Sequence, residues 1–314
     1  MIPSILMGAI VYGSLITILS IGYTLTYLTS KIPNFAHGMY AGFGIYVSFT
    51  FSKIWEKSPY LGLPISFLIG GSVAVLLYIV VIKTLQSMGG GEIVLTISTI
   101  AIQIFLEASI NVYATYQRMR TGQYAYNFLL KSNDFKFMGY QGIFPVSFII
   151  CITTVILLYL LLNRTKTGIA MRAVSEDPEL SSVLGINSNK IQMLSWFITG
   201  GLASFAGSLI PMWFLSTPNT GNILLISVMA GSLLGGLDNI YGAVIGGFSV
   251  GFAEILLTFW LQGIFGTWVG EYRPLVPMVV VIGVLLIEPR GLTGLIDKMK
   301  DNSFIEGVLG RSNK

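Results

Sequence analysis

Few side chains in this sequence could do chemistry inside its long apolar stretches. Glu107 and Glu254 lie deep in apolar windows, Asp238 falls between two windows, and Glu288 ends a third. A carboxyl group in hydrocarbon is costly, so each is either a functional group on a polar path or a hydrogen-bonded lock between helices. The residue types leave both roles open. His37 is the single histidine and Cys151 the single cysteine. That excludes His-pair metal sites, H-E-x-x-H chemistry, an intrachain disulfide and a Cys-based metal site. No G-x-x-x-x-G-K-[ST] phosphate loop occurs, so this chain cannot hydrolyse ATP by that route. No nucleophile–base pair is visible either, which leaves an intramembrane enzyme unsupported. No metal or cofactor is expected on the chain itself.

Two segments are more specific. In K-I-P-N-F-A-H-G at 31–38, Pro33 cannot donate a backbone hydrogen bond and Gly38 loosens the chain five residues later. Asn34 and His37 place polar groups where a new apolar window begins. This fits a broken or re-entrant element beside a translocation path, and equally an ordinary loop entering a span. The second segment is 164–190, RTKTGIAMRAVSEDPELSSVLGINSNK, a polar island followed by a stretch from Lys190 to Arg273 without Lys or Arg. It reads as two short helices. The first covers 167–176. Ser175-Glu176-Asp177 caps a second, Pro178 suits its first turn, and Gly185 ends it after about Leu184. Ala170, Ala173, Val174, Leu180, Val183 and Leu184 form one small apolar face. A protein groove suits these small side chains, flanked by Glu176, Asp177 and Glu179, better than a lipid surface does.

These residues must be positioned by membrane helices. Hydrophobic residues make up 54% of the 314-residue chain and charged residues 10%, against about 25% charged in soluble domains. The mean hydropathy is +0.77. Apolar windows fall at about 7–28, 35–52, 60–82, 93–113, 143–163, 191–213, 222–237, 240–262 and 274–288, of which 35–52, 222–237 and 274–288 are short enough to be tilted, broken or re-entrant. The expected fold is all-α, a single polytopic domain over 1–314 with eight or nine transmembrane or re-entrant segments. The N-terminus lacks a basic region and reads as a retained first span. Arg290, Lys298, Lys300, Arg311 and Lys314 put the 289–314 tail in the cytoplasm. The basic island joins it there after four intervening windows. That order leaves the 114–142 loop outside despite Arg118, Arg120, Lys131 and Lys136. The basic residues form no dense patch with interleaved aromatics, which excludes a nucleic-acid surface. Glycines recur four apart: Gly231 with Gly235, Gly242 with Gly246, and Gly247 with Gly251, joined by Gly200 with Ser204 and Ala203 with Gly207. Such pairs let helix backbones approach closely, within one subunit, between subunits or at a moving gate.

The island, T-K-T-G-I-A-M-R-A-V-S-E-D-P-E-L-S-S-V-L-G-I-N, resembles the cytoplasmic coupling loop of permease subunits of branched-chain amino acid ABC transporters. N-F-A-H-G at 34–38 is similar to an early span of that family. G-G-L-D-N-I-Y-G-A-V-I-G-G-F-x-x-G-x-x-E at 235–254 resembles its late glycine-rich segment. The motifs occur in family order over nearly the whole chain. Departures fall at Asp238 and Tyr241, where glycine and proline are more usual, and at Ser181, where alanine is. The resemblance implies that Arg172, Ala173, Asp177 and Gly185 belong to the part gripped by an ATPase. It also implies that Asn34, Phe35, His37 and Gly38 line or shape the path. Glu254 matches the glutamate after the family's glycine run. Implied partners are a second homologous permease, two ATPase subunits carrying ATP and Mg, an extracytoplasmic substrate-binding protein and membrane lipid. The cargo stays open among leucine-like amino acids, other amino acids and a small amide such as urea. A competing reading is an ion-coupled carrier using Glu107 or Glu254. Such carriers usually show half-to-half repeats, and the sequence shows no convincing one.

Overall fold

A computed structural model describes residues 3–288 together with Gly291, Leu292 and Gly294. Its helices are numbered in chain order. Six are long and apolar enough to cross a bilayer. They are α1 (Ser4–Ser30), the run Pro59–Ser87 holding α3 (Leu63–Leu77) and α4 (Lys83–Ser87), α5 (Glu92–Thr121), α6 (Ile143–Arg164), the run Ser188–Met212 holding α9 (Ser188–Leu209), and α11 (Ile240–Phe265). Three shorter apolar helices are α2 (His37–Phe49), α10 (Thr220–Gly235) and α12 (Leu275–Ile287). Each of the nine apolar windows therefore holds a helix, and the three short windows hold the three short helices. The island forms α7 (Lys166–Glu176) and α8 (Pro178–Val183). Apart from Gly291, Leu292 and Gly294, the expected tail at 289–314 with its five basic residues lies outside the described residues.

The core is built on α1 and α9. Helix α11 packs along α1, α3 along α9, and α2 and α10 fit between them. Small residues at the crossings make this possible. Gly231 meets the backbone of Gly247, Gly235 meets Gly242, Gly246 sits against the Gly231 carbonyl, and Gly251 rests on Gly13. Gly70 likewise meets Gly200 and Ser204 where α3 crosses α9. All six late glycines thus pack inside one subunit, the first of the three readings their spacing allowed. In lipid, burial adds little between helices, so close backbone approach supplies the association. Helices α5 and α6 turn large side chains outward instead, including Ile104, Phe105, Val112, Ile149 and Leu157.

The two halves share an arrangement that their residues do not advertise. In both α1–α2–α3 and α9–α10–α11, a long buried helix is followed by a non-helical stretch and a short helix. A long helix then packs on the buried helix of the other half. The bundle also has two distinct ends. Lys31, the island and the α10–α11 turn share one, where Lys31 pairs with Asp238 and Arg172 reaches Asn163. Gly291 lies against the Leu233 and Leu234 carbonyls at this same end. At the other end the 122–142 loop carries a short hairpin, Lys136–Phe137 with Tyr140–Gln141, and bridges through Phe128 to Ser216.

Candidate functional site

Lys31 closes α1 with φ 55, and α2 does not begin until His37. The His37 Nε2 atom is hydrogen-bonded to the Leu19 carbonyl at 3.0 Å. Leu19 lies about 18 Å back along α1 from Lys31 at a rise of about 1.5 Å per residue. The five residues 32–36 and the reach of the His37 side chain together bridge that distance, so the chain climbs back beside α1 and α2 starts half-way through the bundle. Backbone polar groups freed by the unwinding find local partners. The Thr99 hydroxyl donates to the Pro33 carbonyl and accepts from the Phe35 N–H, both at 3.2 Å. Asn34 Oδ1 accepts from Ala36 N–H at 3.1 Å. Asn34 and His37 are buried, Phe35 is packed against the core, and a side chain on Gly38 would strike the Gly221 carbonyl. Of the two readings of 31–38, the structure builds the broken, re-entrant one.

Gly221 belongs to the start of α10, which also follows a non-helical stretch. The first turns of α2 and α10 thus meet at mid-depth. On α5, Thr99, Gln103, Glu107, Asn111 and Thr115 follow four residues apart in a line that winds round the helix. Thr99 meets the backbone of Pro33 and Phe35, and Gln103 and Glu107 meet α10, while Asn111 bonds its own helix and Thr115 bonds Tyr126. This polar ridge is about 24 Å long, most of a hydrocarbon layer of roughly 30 Å. Asn222 is its counterpart on α10. It accepts from Gln103 Nε2 at 2.8 Å and donates to Glu107 Oε2 at 2.8 Å and to Asn219 Oδ1 at 2.8 Å. Gln103, Glu107 and Asn222 are only half-buried. Sequence reasoning singled out Glu107 and missed the ridge, although its signal, a polar residue every fourth position, was present.

Glu254 is built differently. It is 1% exposed, accepts from Arg273 Nε at 2.6 Å and takes the Ser227 hydroxyl at 2.6 Å. Ser227 also meets Tyr12 Oη at 3.2 Å, and the Arg273 guanidinium lies 4.0 Å from the centre of the Tyr12 ring. Burial opposes the Arg273 charge, but Tyr12 and Glu254 beside it outweigh that and raise its pKa above the ordinary value. This satisfied network ties α1, α10 and α11 to the segment before α12. Of the two roles its residue type left open, Glu254 thus has the geometry of the lock between helices. Asp238 is exposed and pairs with Lys31 at 3.5 Å, and Glu288 is buried at the end of α12.

The island folds as its residue types dictate. Thr165 caps α7 through the Gly168 N–H, and Asp177 Oδ1 caps α8 through the Leu180 N–H at 2.9 Å. Gly185 takes φ +82 while Ile186 N–H bonds the Ser181 carbonyl and Gly185 N–H that of Ser182, a left-handed helix stop. The single apolar face expected across both helices does not form. Met171 and Val174 turn inward, whereas Leu180, Val183 and Leu184 turn outward, Val183 being 84% exposed. The reason is the change of direction at Asp177, which separates the faces of α7 and α8. Arg172 donates to Asn163 at 3.1 Å, and Asn163 in turn donates to Tyr241 at the start of α11. Ala173 is half-buried beside it. Tyr241, which departs from the resembled pattern, thus links island and bundle.

Residues 5–287 match the model of a family described as branched-chain amino acid transport system / permease component. A probable branched-chain amino acid transport permease protein LivH from Methanocaldococcus jannaschii is 40% identical over 93% of this chain and 92% of its own. The high-affinity permease BraD of Pseudomonas aeruginosa is 26% identical over 92% and 94%. A fructose import permease, FruF of Bifidobacterium longum, is 30% identical over 50% of this chain and 44% of its own. No solved structure shows a significant match.

Proposed function

Because the chain belongs to the branched-chain amino acid transport permease family, we propose that it is the membrane permease of an ATP-driven importer of branched-chain amino acids. The observation that carries this reading is the island. Helix α8 is capped at both ends and offers Leu180, Val183 and Leu184 to the outside, while Arg172 ties α7 through Asn163 to α11. A stiff, outward-facing apolar helix fixed to the bundle suits a groove on an ATPase subunit better than a lipid surface. Two such subunits, holding ATP and Mg, grip α8, with Arg172, Ala173, Asp177 and Gly185 fixing its shape. The island and the tail then lie in the cytoplasm. A second, homologous permease covers the half-buried α5 ridge, and an extracytoplasmic binding protein delivers the cargo to the opposite end.

The path runs along the α5 ridge past the first turns of α2 and α10, with Asn34, Phe35, His37 and Gly38 shaping its wall and Glu107 on it. A polar ridge through an apolar span is stable against water or protein but not against lipid. Movement of α8 acts on the path through α6 and α11, so no acid–base step is required of this chain. The test is reconstitution in vesicles with the ATPases, second permease and binding protein. Leucine uptake is expected only with ATP and all partners, and this chain alone is expected to show no vanadate-sensitive ATP turnover. Uptake driven by an ion gradient without ATP would overturn the reading in favour of a secondary carrier.

A further inference from the structure

Among the carboxylates in or beside the apolar spans, Glu107, Asp238 and Glu254 have different company. Glu254 is paired with Arg273 and Asp238 with Lys31, whereas Glu107 has no cationic partner among the described residues. Its Oε2 atom is held by Asn222, and Oε1 accepts no hydrogen bond there. The surrounding polar side chains, Gln103, Asn219 and Asn222, are neutral amides hydrogen-bonded in series. Glu107 also sits at the midpoint of α5 and is only half-buried. A lone carboxylate half-way across a membrane is expensive unless a cation or water meets it. The amides fix its direction without neutralising it.

We propose that Glu107 receives the α-ammonium group of a zwitterionic amino acid on the path, through the open Oε1 atom, with Gln103, Asn219 and Asn222 holding the carboxylate in position. Charge-assisted N–H···O bonds of this kind are about twice as strong as neutral ones. The site thereby favours amino acids over urea or a simple amide, which present no cation. This rests on the transport reading above and adds the group by which the path selects its cargo. It also gives Glu107 a task that needs no proton cycle, since the ammonium group it receives brings its own charge.

The experiment uses the assembled transporter in nanodiscs without the binding protein. Binding of radiolabelled L-leucine is compared with that of its analogue 2-hydroxy-4-methylpentanoate, in which a hydroxyl replaces the ammonium. Wild type is expected to bind leucine at least tenfold more tightly than the analogue. In Glu107→Gln, which keeps the Asn222 hydrogen bond, leucine binding should weaken at least tenfold while the analogue changes less than twofold, and Glu107→Asp should recover part of the loss. Thermal unfolding of each variant is followed alongside. Equal leucine binding by Glu107→Gln and wild type, parallel loss of both ligands, or no saturable leucine binding by wild type would each overturn the proposal. ATP-dependent uptake by the wild-type complex is scored separately, so failure here leaves the family function standing.

Discussion

Removing Glu254 should destabilise the protein without acting on the path, and the magnitude follows from its surroundings. Glu254→Ala deletes the carboxylate that takes Arg273 and Ser227 at 2.6 Å each and leaves Arg273, three-quarters buried by side chain, facing the Tyr12 ring without a counter-charge. Breaking one side of a buried pair costs about 3–5 kcal/mol. Part of that is recovered in the membrane-embedded unfolded state, where polar groups find other partners, so about 3 kcal/mol is expected. At roughly 2–4 °C per kcal/mol the midpoint falls on the order of 10 °C. Arg273→Met alone should cost a similar amount, because it leaves the buried Glu254 carboxyl without its counter-charge. The double variant should cost less than the sum by about 1–3 kcal/mol, as for other residues in one network. The assay is thermal unfolding of the four proteins in one detergent, with leucine affinity of the assembled transporter measured in parallel. Additive losses, or a leucine affinity that collapses in Glu254→Ala while its stability holds, would refute the lock and return Glu254 to the path.

Two further outcomes test the island and the orientation. Gly185→Val forces a β-branched residue into φ +82, a strain of about 1–3 kcal/mol, and Asp177→Lys removes the cap at Leu180, worth about 1 kcal/mol. Both should leave the permease inserted yet reduce co-purification of ATPase subunits and ATP-driven uptake severalfold. Undiminished assembly in both would remove the island from the mechanism. For orientation, single cysteines at Ser182 and Ser132 in a Cys151→Ala background mark the two ends of the bundle. An impermeant thiol reagent on intact cells should label Ser132→Cys and spare Ser182→Cys, and the reverse pattern would invert the topology.

Much of this molecule is legible in its residues, because hydrocarbon is an unforgiving solvent. With no water to satisfy the backbone, apolar windows must be helices, and all nine are. Local chemistry also settles the island. Thr165, Asp177 and Gly185 act within a few residues of themselves, so their caps and stop need no tertiary context. The glycine spacing announces close packing for the same reason, since a missing side chain matters wherever the helix touches another.

What the sequence leaves undecided depends on partners far along the chain. Glu107 and Glu254 are alike as residues in apolar windows. Only folding brings Arg273 and Ser227 to one and amides alone to the other, making a lock of the first and leaving the second open to a cation. The segment 31–38 could enter a span or re-enter the bundle until Leu19, Thr99 and Gly221 fix its depth. The inward face of α7 likewise depends on distant partners, since Met171 and Val174 are buried only where α7 meets the bundle. Burial and charge pairing are properties of contacts between distant residues, so composition and spacing can name the candidates, while only the tertiary arrangement sets the dielectric and the neighbours that give each its role.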